Sequence, residues 1–294
     1  MMGDFMPTRD ADKTAGLRLF IRGLWMSALL IGSTMAGAAT KPVYTLAVVP
    51  QLPALTTHKM WAPFIQRLEQ ETGQDFELKI YSSFSEFEVD MLAGKPDFVF
   101  MNPYHQIMGH RAQGYIPLIR DNAKLIYGIV VVARDGPIKN INDLKGKEIA
   151  FPAPNAYAAS LYIRALLSVK ERLDYRPRYL ATHTDVYRHV ILGKAAAGGA
   201  VNTTLERETD SVRSQLRILY QTPASAPHPL SVHPRIAASV GQTLQAAIIA
   251  LGSDPTQREM LKGVQLSQPV QADYERDYQP LEKLGLEKFI VDSH

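Results

Sequence analysis

The stretch Lys145-Gly-Lys-Glu-Ile-Ala-Phe-Pro-Ala-Pro-Asn-Ala-Tyr-Ala-Ala-Ser160, running on into Leu161-Tyr-Ile-Arg-Ala-Leu-Leu167, decides the fold. It reads as a short strand over Glu148–Phe151, a proline-stiffened turn, and a helix opened by Asn155 as N-cap. A strand that feeds a helix N-terminus is the repeating unit of an α/β fold. It also aims the unpaired first-turn N–H groups, with the positive end of the helix dipole, at the space above the strand, where an anion can sit. The side chains of that turn are Ala156, Tyr157, Ala158 and Ala159, without the hydroxyls and glycine of a phosphate cradle.

The same alternation extends in both directions. Upstream, Tyr44–Val49 is an apolar strand, and Lys59–Thr72 is a helix with Trp61, Phe64, Ile65 and Leu68 on one face and Gly73 as its stop. Phe76–Tyr81 is a strand, Ser85–Ala93 an amphipathic helix, and Phe98–Met101 a buried strand. That strand leads into Asn102-Pro103-Tyr104 and a further helix to about Gln113. Short strand–helix–strand units of this kind imply a parallel sheet covered on both faces. Leu125–Ala133 starts a second alternation, with strands at Arg178–Ala181, Ala195–Val201 and Leu216–Tyr220 and a helix over Asp185–Leu192. The extended connector Thr222-Pro-Ala-Ser-Ala-Pro-His-Pro229 leads into Leu230–His233, after which only helices are expected. The layout predicts two α/β lobes, 40–124 plus 226–294 and 125–225, joined by two crossing strands near Leu125–Ala133 and Pro223–Val232. That is a hinged trap whose ligand sits at the strand ends in the crevice.

The N-terminus predicts the compartment. Arg18 and Arg22 precede the apolar run Gly23–Gly32, which gives way to small residues through Ala36-Gly-Ala-Ala39. These are the parts of a cleaved secretory signal, with cleavage expected after Ala38 or Ala39, and they make the mature protein an exported one. The run is shorter than the roughly twenty apolar residues that span a bilayer. Cysteine is absent, which excludes disulfides, thiolate catalysis and thiolate metal sites. Net charge is +3 with no long single-sign run, so no nucleic-acid surface is indicated.

Several stretches taken in order carry a family resemblance. They are Phe98-Val-Phe-Met-Asn-Pro-Tyr104, Gly114-Tyr-Ile-Pro-Leu118, Asp143–Pro154, Tyr179-Leu-Ala-Thr-His183, Val190-Ile-Leu-Gly-Lys194 and Pro227-His-Pro-Leu-Ser-Val232. The chain resembles the periplasmic phosphate, phosphite and phosphonate-binding proteins of ABC importers. The resemblance implies a type II periplasmic-binding-protein fold, a small anionic or polar ligand, and delivery to an ABC permease or a membrane sensor kinase. It also implies that Tyr104 faces the ligand and that His183 lies near the bound oxyanion. Two departures stand out. The family's Ser-Thr-Ser-Gly is replaced by Ala156-Tyr157-Ala158-Ala159, and around Gly193–Asn202 there is no acid to meet an aminoalkyl ammonium. Each lost hydroxyl is worth about 1.5–3 kcal/mol when it meets a charged acceptor.

The candidate ligand-binding residues are Asn102, Tyr104, Asn155, Ala156, Tyr157, Ala158, His183, Asn202, Thr203 and His228, with Gln51 a weaker candidate. Backbone N–H groups of Ala156, Tyr157 and Ala158 are expected to face the crevice. Eight histidines raise the question of a metal. However, the pairs His105/His110, His183/His189 and His228/His233 lack the i, i+4 spacing of a helical zinc pair. There is no Gly-x-Ser-x-Gly elbow, no Walker or dinucleotide glycine pattern, and no telling pair of carboxylates. The expectation is a monomeric binding protein without catalysis, cofactor or metal.

Overall fold

The computed structural model describes residues 41–291, so the expected signal segment, 1–39, lies outside the described residues. The chain first lays down β1 (Val43–Val48), α1 (Ala54–Thr72), β2 (Asp75–Ile80), α2 (Phe84–Leu92), β3 (Phe98–Phe100), α3 (Pro103–Gln113) and β4 (Ile116–Asp121). It then crosses to β5 (Gly128–Ala133), β6 (Glu148–Phe151), α4 (Tyr162–Val169), β7 (Arg176–Tyr179), α5 (His183–Ile191), β8 (Ala197–Val201), α6 (Asn202–Glu206), α7 (Asp210–Arg213) and β9 (Leu216–Gln221). On its return it adds β10 (Pro229–Val232), α8 (Ala238–Gly252), α9 (Arg258–Gly263), β11 (Pro269–Gln271) and α10 (Tyr274–Asp277).

Two sheets result, in strand order β11-β4-β10-β3-β1-β2 and β7-β6-β8-β5-β9. Each sheet with its helices makes one lobe of a type II periplasmic-binding-protein fold. The sheets are mixed where the sequence pattern suggested parallel ones. β1 runs parallel to β2 and β3, but β10 lies antiparallel to β3 and β4. β6 is parallel to β7 and β8, whereas β5 is antiparallel to β8 and β9. The physical reason is topological: β5 and β10 follow the two crossings, so they enter their sheets from the opposite end. β11, a three-residue edge strand on β4, corrects the expectation that only helices follow residue 233. It is too short to show period-two patterning.

Residues 122–127 and 222–228 connect the sheets, and they touch through an antiparallel bridge between Ile126 and Ser225 with N–O distances of 3.0 and 2.8 Å. The strands therefore start later than expected, at Gly128 and Pro229. The first lobe packs the expected face of α1 on its sheet, with the Trp61 and Phe100 rings 4.9 Å apart. α1 begins at Ala54 behind Pro53, five residues before the apolar periodicity becomes visible. The second lobe has its own core of Val130, Val132, Ile149, Phe151, Ile163 and Leu167.

Two glycines fix the position of the segment after β6. A Cβ on Gly128 would stand 2.0 Å from the Ala158 carbonyl oxygen, and one on Gly199 would stand 2.2 Å from the Ala159 carbonyl oxygen. Only a residue without a side chain lets β5 and β8 support that backbone so closely.

Candidate functional site

The ends of β1, β3, β6 and β8 and the start of α5 converge where the lobes meet. Val49, Gln51, Phe84 and Asn102 from the first lobe face Ala156–Ala159, His183 and Val201 from the second, with His228 of the crossing segment between them. Ligands of open α/β sheets bind at such strand ends. This seat has only about 10 Å³ of free space, room for one water-sized group.

Its second-lobe wall is a wide turn. Ser160 N and Leu161 N both donate to Ala156 O, at 2.8 and 3.1 Å, the second bond being the i+5 bond of a π-type turn. Ala156 N is spent on Ala153 O at 3.3 Å. The N–H groups without an acceptor among the described residues are thus those of Tyr157, Ala158 and Ala159, one residue later than expected.

Asn155 does not cap this turn, which corrects the sequence reading. The turn starts behind Ala156 with no side-chain cap. Asn155 Nδ2 instead donates to Glu88 Oε2 at 3.0 Å and to Val291 O at 2.8 Å, and its Oδ1 accepts from Val291 N at 3.0 Å. The residue joins the lobes. Glu88 is itself buried against His105 Nε2 at 2.8 Å. No sequence pattern marked Glu88, since its i±4 surroundings on α2 read as one polar position among apolar ones.

On the first lobe, Asn102 behaves as its sequence suggests. Its Oδ1 accepts from His105 N at 2.8 Å to cap α3, with Pro103 at the first helical position. Its Nδ2 reaches Asn155 O at 3.4 Å. Tyr104 lines neither this seat nor the chamber described below. It is buried in the first-lobe core, where burial and the charge of Glu287 raise the pKa of its hydroxyl.

Three polar side chains of the seat are unusual in their surroundings. Tyr157 is buried, and its hydroxyl, beside Ser225, meets no partner in hydrogen-bonding geometry. His183 is fully buried, and burial pushes its pKa down to about 3, so it is a neutral imidazole. Its Nδ1 lies 3.3 Å from Thr204 Oγ1, which is also within 2.8 Å of Val201 O and of Tyr187 Oη. His228 is likewise neutral, pushed to about 3 by burial, with His105, His183 and Arg207 adding to the effect. Its Nε2 accepts from Gln51 Nε2 at 2.7 Å, and Gln51 Oε1 accepts from Gln265 Nε2 at 2.5 Å. His228 Nδ1 is then a buried donor without a partner.

Asn202 is committed elsewhere. Its Oδ1 accepts from Tyr127 N at 3.1 Å and its Nδ2 donates to Leu125 O at 3.2 Å, which pins the first crossing segment to the end of β8. Thr203 faces a second, larger space of about 420 Å³ behind His228, lined also by Asp121, Lys124, Arg207, Lys262 and Gln265. Among the described residues, no group of three or more His, Cys, Asp or Glu side chains could hold a metal ion.

Comparison with known proteins places this geometry. Residues 46–278 match the model of a family described as ABC transporter, phosphonate, periplasmic substrate-binding protein. A search of curated proteins found no match. Among solved structures, a binding protein component of an ABC phosphonate transporter from Pseudomonas aeruginosa superposes with a TM-score of 0.77 at 16% identity, over 84% of this chain and 87% of that one. PhnD1 from Prochlorococcus marinus, in complex with methylphosphonate, gives 0.74 at 14% identity, over 84% and 98%. A Xanthomonas citri protein bound to ATP gives 0.69 at 15% identity, over 85% and 99%.

Proposed function

The chain belongs to the family of periplasmic substrate-binding proteins of phosphonate ABC transporters, and from that premise we propose that it captures a small anionic or polar ligand between its lobes and hands it to a membrane permease. Membership makes it a ligand-capturing solute-binding protein of the periplasm. The ligand, the docking partner, the monomeric state, the cleaved signal and the lobe limits (40–124 with 226–294, and 125–225) are our reading.

One observation carries the ligand chemistry. The seat brings together three backbone N–H groups, of Tyr157, Ala158 and Ala159, and two unpartnered polar side-chain atoms, Tyr157 Oη and His228 Nδ1. Buried polar groups left unpaired cost about 1–3 kcal/mol each, and an anionic acceptor would repay that cost. With alanines in place of hydroxyls, the seat favours an anion of lower charge density than a bare phosphonate. No general acid–base pair or activated nucleophile accompanies it, so binding and release are the whole of the proposed activity. Closure follows from contacts made only when both lobes hold the ligand.

Isothermal titration against phosphate, phosphite, phosphonates, sulfur oxyanions and carboxylates tests the reading, with small-angle scattering for closure. Binding of at least one oxyanion with a decrease in radius of gyration is expected. Absence of both would defeat it.

A further inference from the structure

The seat at the strand ends and the chamber behind His228 differ in capacity by more than an order of magnitude, about 10 against about 420 Å³. Ligand pockets for organic molecules run from about 300 to 1,000 Å³. Tyr157 is one of the buried side chains that wall the seat, and the space left has no room for a tetrahedral phosphonate. The chamber has that room.

Its lining is built for an anion. Four cations, Lys124, Arg207, Arg213 and Lys262, share its walls with two carboxylates, Asp121 and Glu206. Lys124 is paired with Glu206, and Arg213 with Asp210. Lys262 lies 3.8 Å from Glu259. Arg207 forms no ion pair among the described residues, and its one side-chain hydrogen bond donates to the Lys262 carbonyl at 3.1 Å. Asp121 and Glu206 act on this half-buried guanidinium only through space, outside ion-pair distance, so it keeps donors to spare for a bidentate oxyanion. Two further groups on the same walls lack partners: Thr203 Oγ1 and His228 Nδ1, both buried. His228 as a whole is 4% exposed, and the Gln265–Gln51–His228 relay fixes its tautomer so that Nδ1 bears the hydrogen. The chamber is an interlobe one: Asp121, Lys262 and Gln265 come from the first lobe, and Thr203, Arg207 and Arg213 from the second.

We propose that this chamber is the principal ligand pocket and that it takes an organic phosphate, its dianionic head on Arg207, Thr203 and His228 and its organic body filling the remaining space. The proposal rests on the reading of the chain as an interlobe anion binder, and it names the class of anion and moves the site from the strand-end seat toward the crossing segments.

The test is isothermal titration of the full-length mature protein with adenosine 5′-monophosphate, glycerol 3-phosphate and methylphosphonate. At least one of the two organic phosphates should bind more tightly than methylphosphonate. Arg207→Gln should weaken that binding roughly 10- to 100-fold and Thr203→Val about 3- to 10-fold. Melting temperatures close to the parent's would show that both variants are folded. Because Thr203→Val is isosteric, it still probes the chamber if Arg207→Gln fails to fold. If methylphosphonate binds more tightly than both, or if neither substitution changes the affinity of the organic phosphate, the chamber assignment is wrong while capture between the lobes stands. If none of the three binds, the chamber assignment falls, and the wider oxyanion panel then decides whether the anion-binder reading survives.

Discussion

Asn155 Nδ2 and Glu88 Oε2 lie 3.0 Å apart, both residues buried, on opposite sides of the interlobe crevice. With the paired bonds to Val291 they form a clasp between the lobes, reinforced by Arg164, whose Nη2 reaches Phe289 O at 2.5 Å and Pro154 O at 3.0 Å. The residue that the sequence offers as a helix cap is therefore the point where one lobe grips the other.

Asn155→Ala should loosen that grip. It removes a hydrogen bond to a buried carboxylate, worth about 1.5–3 kcal/mol, together with two bonds to the C-terminal strap. The expected outcome is a larger radius of gyration by small-angle scattering and a lower melting temperature. Asn155→Asp should act more strongly, since it sets a second carboxylate against Glu88. An unchanged scattering profile for both variants would mean that the clasp does not hold the lobes.

Tyr157→Phe should stabilise the ligand-free protein, by about 1 kcal/mol, because it deletes a buried hydroxyl that has no partner and leaves the ring packed on Tyr162. Denaturant unfolding measures this. A loss of stability would mean that the hydroxyl is bonded, to Ser225 or to water. Combining Ala156→Ser, Tyr157→Thr and Ala158→Ser should open the seat and move ligand preference toward phosphonates. A titration panel identical to the parent's would count against the seat as an anion site.

Gly128→Ala should be among the most damaging small substitutions. Its methyl would stand 2.0 Å from the Ala158 carbonyl and 2.9 Å from Thr222 Cγ2, so the turn over Tyr157–Leu161 must lift off β5. Overpacking of this kind costs about 1–3 kcal/mol and sometimes more. Gly146→Ala meets nothing within 4 Å and is strained only by its φ of +70°, so it makes a milder reference. Equal losses of melting temperature in the two variants would refute the packing argument.

What could be read from the residues follows from which interactions are local. Strand and helix identities rest on periodicity and end signals such as Gly73 and the Asn102-Pro103 cap, and these survive in the structure. Sheet direction depends on which end of a sheet the chain re-enters, and no local pattern encodes that. The site divides in the same way. His183, Tyr157 and His228 stand at strand ends or on the crossing segment and could be marked in advance. Arg207 and Glu88 could not. Arg207 sits among Glu206 and Glu208 in what reads as a solvated charged run, and only the fold buries its guanidinium beside Asp121. Tyr104 is the reverse case: the resemblance set it facing the ligand, whereas α3 turns it into the first-lobe core.

The two buried histidines predict how stability depends on pH. Burial holds His183 and His228 at about 3, against 6.5 when exposed in the unfolded chain. Between those values the unfolded state binds more protons than the folded one, so stability must rise with pH from about 3 to 6.5 and level off above. Each histidine contributes a slope approaching 1.4 kcal/mol per pH unit once its unfolded form is fully protonated, by the roughly 1.4 kcal/mol that one pKa unit represents. His233, also lowered by burial, adds in the same direction. Carboxylates such as Asp90, held at about 2 by Lys79 and Lys95, lose their contribution only as pH falls below the usual carboxylate range near 4. Urea midpoints measured between pH 4.5 and 8 therefore isolate the histidines. His183→Gln should flatten the acid limb relative to the parent. A parent protein equally stable at pH 5 and pH 7.5 would mean that both of these rings are reached by water or carry their protons, and the neutral donor assigned to His228 would go with them.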